Sequence, residues 1–155
     1  MTGKQKIIDA LNQLLGYELA AMDQYFAHSQ MYLDWGLTKL YDRINHEFDD
    51  EKGHATKLIE RILFLEGQPD MQTRVGFKLG KAVPDMLESD LRVEYEVAAK
   101  LKEVIALAEQ ERDYVTRDML MVLLEDTEMD HAHWLEQQLG LIERLGLPNY
   151  LQSQM

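Results

Sequence analysis

Cysteine is absent from the whole 155-residue chain, which excludes disulfides, thiolate metal sites and thiol nucleophiles. Any metal must therefore be held by nitrogen and oxygen. Long apolar runs are missing too: nothing approaches the roughly 18 consecutive apolar residues of a membrane span, so no membrane partner is expected. The amino end, Met1-Thr2-Gly3-Lys4-Gln5-Lys6, runs straight into an amphipathic pattern with no apolar signal core. A soluble cytoplasmic protein is the expectation. Positive charge is also scarce. With 16 Lys and Arg against 28 Asp and Glu, the formal charge is −12, which disfavours nucleic acid, because that binding depends on cationic neutralisation of phosphates. The acidity suits cationic partners, or it simply keeps a soluble protein dispersed. Low-complexity tracts and the alternating pattern of strands are both absent.

What remains is helical periodicity. One domain is expected over residues 1–155, too short for two. Residues 5–34 carry a stripe at Leu11, Leu15, Met22 and Tyr25 with steps alternating between three and four. Gly36 breaks it, Thr38 is placed to cap a new start, and a second stripe over 38–65 uses Ile44, Phe48, Ala55, Leu58, Ile62 and Leu65. The pattern then lapses from Glu66 to Val83 around Gly67, Pro69, Gly76 and Gly80. Extended, those residues reach about 60 Å, more than the about 42 Å of a helix of about 28 residues. The loop can therefore carry the chain back to the far end of a bundle. Pro84 suits a first helical turn. A third stripe over 84–112 runs Leu87, Leu91, Leu101, Ile105, Ala108, and a fourth over 114–145 runs Met121, Leu124, Leu135, Leu139, Ile142 until Gly146 and Pro148 stop it. A tail helix over 148–154 has little of its own to bury and is expected to dock. The fold class is all-α: four long helices with a long crossover between the second and third, and a short fifth.

Each stripe has one anomalous position, and all four hold glutamate: Glu18, Glu51, Glu94 and Glu128. Glu51 is followed three residues later by His54, and Glu128 by His131, a spacing that makes neighbours on a helix. Glu18 precedes Glu51 by 33 residues and Glu94 precedes Glu128 by 34, so the chain reads as two hairpins of one design. Glu18 and His54 each lie 18 residues from Gly36, hence at one depth. A single such carboxylate is ordinarily explained by a salt bridge or a rotated helix. Four are not, because a buried ionised carboxylate costs several kcal/mol unless paired or metal-bound, and no Lys or Arg recurs at matching depth. Two divalent ions neutralise four carboxylates, with two imidazoles completing the shell. Such ligands suit iron or manganese, and zinc less exclusively.

The segments Leu14-Leu15-Gly16-Tyr17-Glu18-Leu19, Asp23-Gln24-Tyr25-Phe26, Asp34-Trp35-Gly36-Leu37, Ile59-Glu60-Arg61-Ile62-Leu63-Phe64-Leu65-Glu66-Gly67, Asp113-Tyr114-Val115 and Trp134-Leu135-Glu136 resemble the bacterioferritins along essentially the whole chain. Ferritin-like di-iron bundles place a Glu from each of two helices and a Glu-x-x-His from each of the others. The resemblance implies a ferroxidase centre of Glu18, Glu51, His54, Glu94, Glu128 and His131, with Glu51 and Glu128 bridging two irons. It also implies iron storage as ferric mineral inside a 24-subunit shell of self-copies fed with ferrous iron. Haem b is not expected in the homo-oligomer: the family's axial methionine position is Lys52, whose ammonium has no lone pair. A mixed shell with a second, haem-binding bacterioferritin subunit is the alternative.

Other residues carry two readings each. His46 and Asp50, one turn apart, can share an ion, as at the inner-surface iron site of some bacterioferritins, or form a solvated face. Tyr25 can bond a ligand carboxylate or supply an electron during oxidation, or be a core tyrosine. His133 and His28 are read as surface. Gly53, inside a helix at a cost of about 1 kcal/mol relative to alanine, suggests close approach of a neighbouring chain, or nothing. Two rival functions remain: a di-iron oxygenase or peroxidase, for which such a bundle leaves little room, and a non-catalytic scaffold whose carboxylates pair with cations.

Overall fold

The computed structural model describes residues 2–155. Its long elements are α1 (Gly3–Asp34), α2 (Thr38–Phe64), α3 (Val83–Gln110), α4 (Tyr114–Glu125) and α5 (His133–Leu145). A π-helical segment, Asp126–Ala132, joins α4 to α5, and the short α6 (Leu147–Ser153) closes the chain. This is a four-helix bundle with a short C-terminal helix, and there is no strand among the described residues. α1 packs mainly on α2, α3 packs on the α4–π–α5 rod, and contact between α1 and α3 joins the two hairpins.

Local chemistry sets the ends. The Thr2 hydroxyl accepts from the Gln5 N–H at 3.1 Å, and the Asp113 carboxylate accepts from the Thr116 N–H at 3.0 Å, each satisfying an orphan donor of a first helical turn. Thr38 makes no cap. Leu37 occupies that position without a side-chain bond, and Thr38 is already helical. Gly36 turns the first hairpin at φ 77°, a left-handed value that glycine adopts freely.

The crossover, residues 65–82, lies along α1 and returns the chain as its length allows. Asn12 donates to the Gln68 carbonyl at 3.0 Å, Arg74 donates to Asp23 at 3.0 Å, and the Gly80 N–H donates to His28 Nε2 at 3.1 Å. His28 is therefore no surface residue. It is fully buried, with Nδ1 2.8 Å from Asp90 on α3, while Gln24 donates to the same carboxylate at 2.8 Å. A Cβ on Gly80 would lie 2.5 Å from the backbone N and Cα of Met86. Gly80→Ala is accordingly expected to push the loop end off α3 and destabilise the fold by about 1–3 kcal/mol, the usual range for overpacking. Urea unfolding measures it.

The fourth rod departs from the expected stripe. Met121 is 48% exposed, and the inward positions are instead Leu120, Leu123, Thr127, His131 and Leu135. Three successive steps of four from Leu123 to Leu135 outrun an α-helix of 3.6 residues per turn by about one residue. The π-helical segment absorbs that residue through its wider i→i+5 turn. The tail docks on its own bundle: Tyr150 is buried and donates to Gln138 at 2.7 Å, and the Lys39 N–H donates to the Gln154 carbonyl at 3.0 Å.

Candidate metal centre

Four elements converge at mid-bundle. α1 brings Glu18, α2 brings Glu51 and His54, α3 brings Glu94 and the π-helical segment brings His131, all buried. Their ligand atoms form two groups that share Glu51: Glu18, Glu51 and His54, and Glu51, Glu94 and His131. His54 Nδ1 stands 3.3 Å from Glu18 Oε2 and 3.5 Å from Glu51 Oε2. His131 Nδ1 stands 3.0 Å from Glu51 Oε1 and 3.4 Å from Glu94 Oε1. Each oxygen of Glu51 thus faces a different imidazole, the disposition of a carboxylate bridging two ions.

The cluster is under-satisfied as it stands. Glu18 Oε1, Glu51 Oε2, Glu94 Oε2 and His131 Nδ1 are buried without a hydrogen-bond partner. Burial, then the neighbouring Glu51, pushes the Glu18 carboxyl well above the usual range, and burial raises Glu94. Burial also opposes charge on the two imidazoles, yet the surrounding carboxylates outweigh it and raise both: chiefly Asp126 at His54, and Glu47 at His131. Protons are thus held where cations fit, and unpaired inward-facing oxygens suit hard divalent ions of the iron and manganese type.

Glu128 does not join the group. Its side chain is 45% exposed, with Oε1 3.5 Å from Lys102 Nζ. In the structure the π-helical turn accounts for this: residues three apart share a face at α-helical pitch, whereas the wider turn swings Glu128 away when His131 points in, so the expected bridge would need this segment to turn Glu128 inward. Zinc stoichiometry of Glu128→Ala, read by calorimetry, decides its role: loss of an ion shows that the segment turns Glu128 inward on binding, and a native value keeps it outside the centre.

Tyr25 is buried and donates its hydroxyl to Glu94 Oε1, and burial with the Glu94 charge holds the phenol protonated. His46 is exposed, with Nε2 3.4 Å from Asp50 Oδ2, and Asp50 Oδ2 reaches His131 Nε2 at 3.1 Å. His133 is exposed. Among the described residues nothing lies within 4 Å of a Cβ placed on Gly53.

Three carboxylates around the histidines escaped the sequence reading. Glu47 is only 2% exposed and stands 2.6 Å from His131 Nε2, while its other oxygen accepts from Arg43 Nε at 2.5 Å. Arg43 also donates to Asp130 at 2.9 Å and lies over the Trp134 ring, clamping α2 to the fourth rod. Asp126 Oδ2 stands 2.6 Å from His54 Nε2. Glu47 was detectable, being one turn before Glu51 on the same face; Asp126 and Asp130 had no signal without the π-helical turn. An open cavity of about 710 Å³, lined by Asp49, Asp50, His54, Glu125, Asp126 and Asp130 among others, leads to this edge of the centre.

A family model described as a ferritin-like domain matches residues 8–145. The chain belongs to the ferritin-like family. A bacterial ferritin of Synechocystis sp. is 61% identical over 155 residues, covering all of this chain and 99% of the relative. A bacterial ferritin of Pseudomonas aeruginosa is 57% identical over 155 residues, with both chains covered completely. A bacterioferritin of Brucella melitensis is 40% identical over 150 residues, 97% of this chain and 92% of the relative. In a ferritin-like bundle the mid-height cluster lies where residues from facing helices build a metal site. No helix among the described residues is long and apolar enough to cross a membrane.

Proposed function

We propose that this ferritin-like chain stores iron and oxidises it, as a cytoplasmic ferroxidase acting within a 24-subunit shell of its own copies. The observation that carries the reading is the pair of ligand groups sharing Glu51, with buried oxygens that nothing among the described residues satisfies. Two ferrous ions are the substrate. Glu18 and His54 hold one, Glu94 and His131 hold the other, and Glu51 spans them, with Glu128 as the second bridge once its segment turns it inward. Each ion gives up one electron, and the two electrons reduce a dioxygen-class or peroxide oxidant that also takes up protons. Tyr25 orients Glu94 by donating to it and is placed to lend an electron. His46 and Asp50 lie on the outer side of His131, suited to pass ions to or from the centre. The net charge of −12 draws ferrous ions toward the protein.

The cavity reaching His54 gives an oxygenase more room than the sequence suggested, but its walls carry Asp49, Asp50, Glu125, Asp126 and Asp130. Those carboxylates suit a cation, and they share the lining with Val122, Leu123 and Met129. Ferrous titration with size-exclusion chromatography tests the proposal. Storage gives about two rapidly oxidised irons per chain, as a two-ion site requires, followed by a much larger mineral load that elutes with the shell. An oxygenase stops at the first phase, and a scaffold that takes up no iron would end the proposal.

A further inference from the structure

The two imidazoles of the centre are supported differently. Each turns Nδ1 to the ligand carboxylates and Nε2 away from them. Behind His131, Nε2 meets Glu47, which is buried and gripped by Arg43. Behind His54, Nε2 meets Asp126, whose side chain is 35% exposed and lines the open cavity. A histidine that ligates through one nitrogen ordinarily donates its other N–H to a carboxylate, which fixes tautomer and ring orientation and raises the ligand's basicity. At 2.6 Å the His54–Asp126 contact is short enough for a charge-assisted hydrogen bond of this kind.

We infer that Asp126, the first residue of the π-helical segment, is the positioning residue of His54: it accepts a hydrogen bond from Nε2–H and presents Nδ1 to the metal. With α-helical winding, the Glu-x-x-His pattern puts Glu128 on the inner face. With the extra residue of the π turn, Glu128 leaves for Lys102 and the rod reaches α2 through Asp126 instead. Asp126 Oδ2 stands 3.7 Å from His131 Nε2, beyond hydrogen-bond reach, where Glu47 at 2.6 Å and Asp50 at 3.1 Å are closer, so Asp126 governs one ion of the two.

This inference rests on the metal-centre reading, and zinc, which cannot be oxidised, tests it apart from activity. In calorimetric titrations of the assembled full-length protein, Asp126→Ala is expected to weaken one of two zinc steps by about 10–100-fold, the usual cost of losing such a partner. The other step and the total stoichiometry stay unchanged. Asp126→Asn keeps an accepting oxygen without the charge and recovers part of the loss. Cobalt(II) spectra keep their band pattern in both variants, because the ligand atoms are the same. Unchanged affinity in Asp126→Ala would overturn the inference. So would loss of one zinc with an altered cobalt spectrum, which would make Asp126 a ligand. A native protein that binds no zinc would remove the metal centre itself, a failure distinct from both.

Discussion

Glu51→Ala is expected to abolish rapid ferrous oxidation and to lower zinc uptake at both positions, while the helical bundle still forms. Glu51 is the one residue common to the two ligand groups, with Oε2 3.5 Å from His54 and Oε1 3.0 Å from His131. Removing it strips an anionic ligand from each ion and leaves the pair nothing to share. Partners that act only through a histidine already cost 10–100-fold in affinity or activity, so loss of the shared ligand should slow the fast phase by about a hundredfold or more. The fold should survive because the substitution withdraws a desolvated carboxylate from a core otherwise built on residues such as Leu15, Leu58 and Leu101. Glu94→Ala provides the contrast. Glu94 belongs to one group, so one zinc should persist there, although rapid two-ion oxidation should still fail. Stopped-flow absorbance during ferrous mixing, with zinc calorimetry and circular dichroism on the same samples, separates these outcomes. A native fast phase in Glu51→Ala would remove the bridge from the mechanism.

The contrast between these glutamates and Glu128 shows what periodicity can and cannot reveal. Glu18, Glu51 and Glu94 were legible because α1, α2 and α3 keep α-helical pitch throughout, so a carboxylate in the apolar stripe is a carboxylate in the core. Glu128 was placed by its three-residue spacing to His131 and its 34-residue distance from Glu94, within a stripe that also put Met121 and Leu124 on the inner face. The extra residue held by the π-helical segment invalidates that phase, and Leu120, Leu123 and Thr127 take the inner positions. Nothing in a single rod's sequence announces an i→i+5 turn. What selects it is the register needed by the other three helices: His131 must face Glu51 while Leu123 still faces α3.

Residues supported across helices were hidden for a related reason. His28 has no ligand-type residue at helical spacing in its own stretch, and its partner Asp90 is on α3. Only the packing of α1 on α3, with Gly80 of the crossover donating from above, makes a buried pair of them. Glu47 was passed over because Phe48 was assigned to the stripe. In the fold Phe48 is partly exposed against Phe26, and Glu47 turns in toward His131. The long crossover, by contrast, was legible from length alone, since a loop able to span a bundle has little other use in a chain this size.

Shells assembled from this chain alone in haem-replete cells are expected to lack stoichiometric haem. By the family resemblance, the position that supplies an axial methionine is Lys52, exposed on α2 immediately after Glu51. A thioether always offers a lone pair, whereas a protonated ammonium offers none and holds its proton unless strongly desolvated. By the same resemblance, two carboxylates stand where an apolar porphyrin pocket wants neutral residues. Asp23, tied to Arg74 at 3.0 Å, and Asp49 are those carboxylates, although Phe26 and Met31 remain as such a pocket would have them. Lys52→Met restores the donor without touching Glu51 or His54 and should allow haem to bind between paired chains, giving a low-spin Soret band where native shells show none. Co-expression with a subunit that already carries methionine there should place haem only where two such partners meet, leaving this chain as the oxidising component. Visible spectra of purified shells, with haem assayed against protein, decide the matter. A strong Soret band at one haem per two chains in shells of the unaltered chain would overturn the prediction and require another residue as the axial ligand.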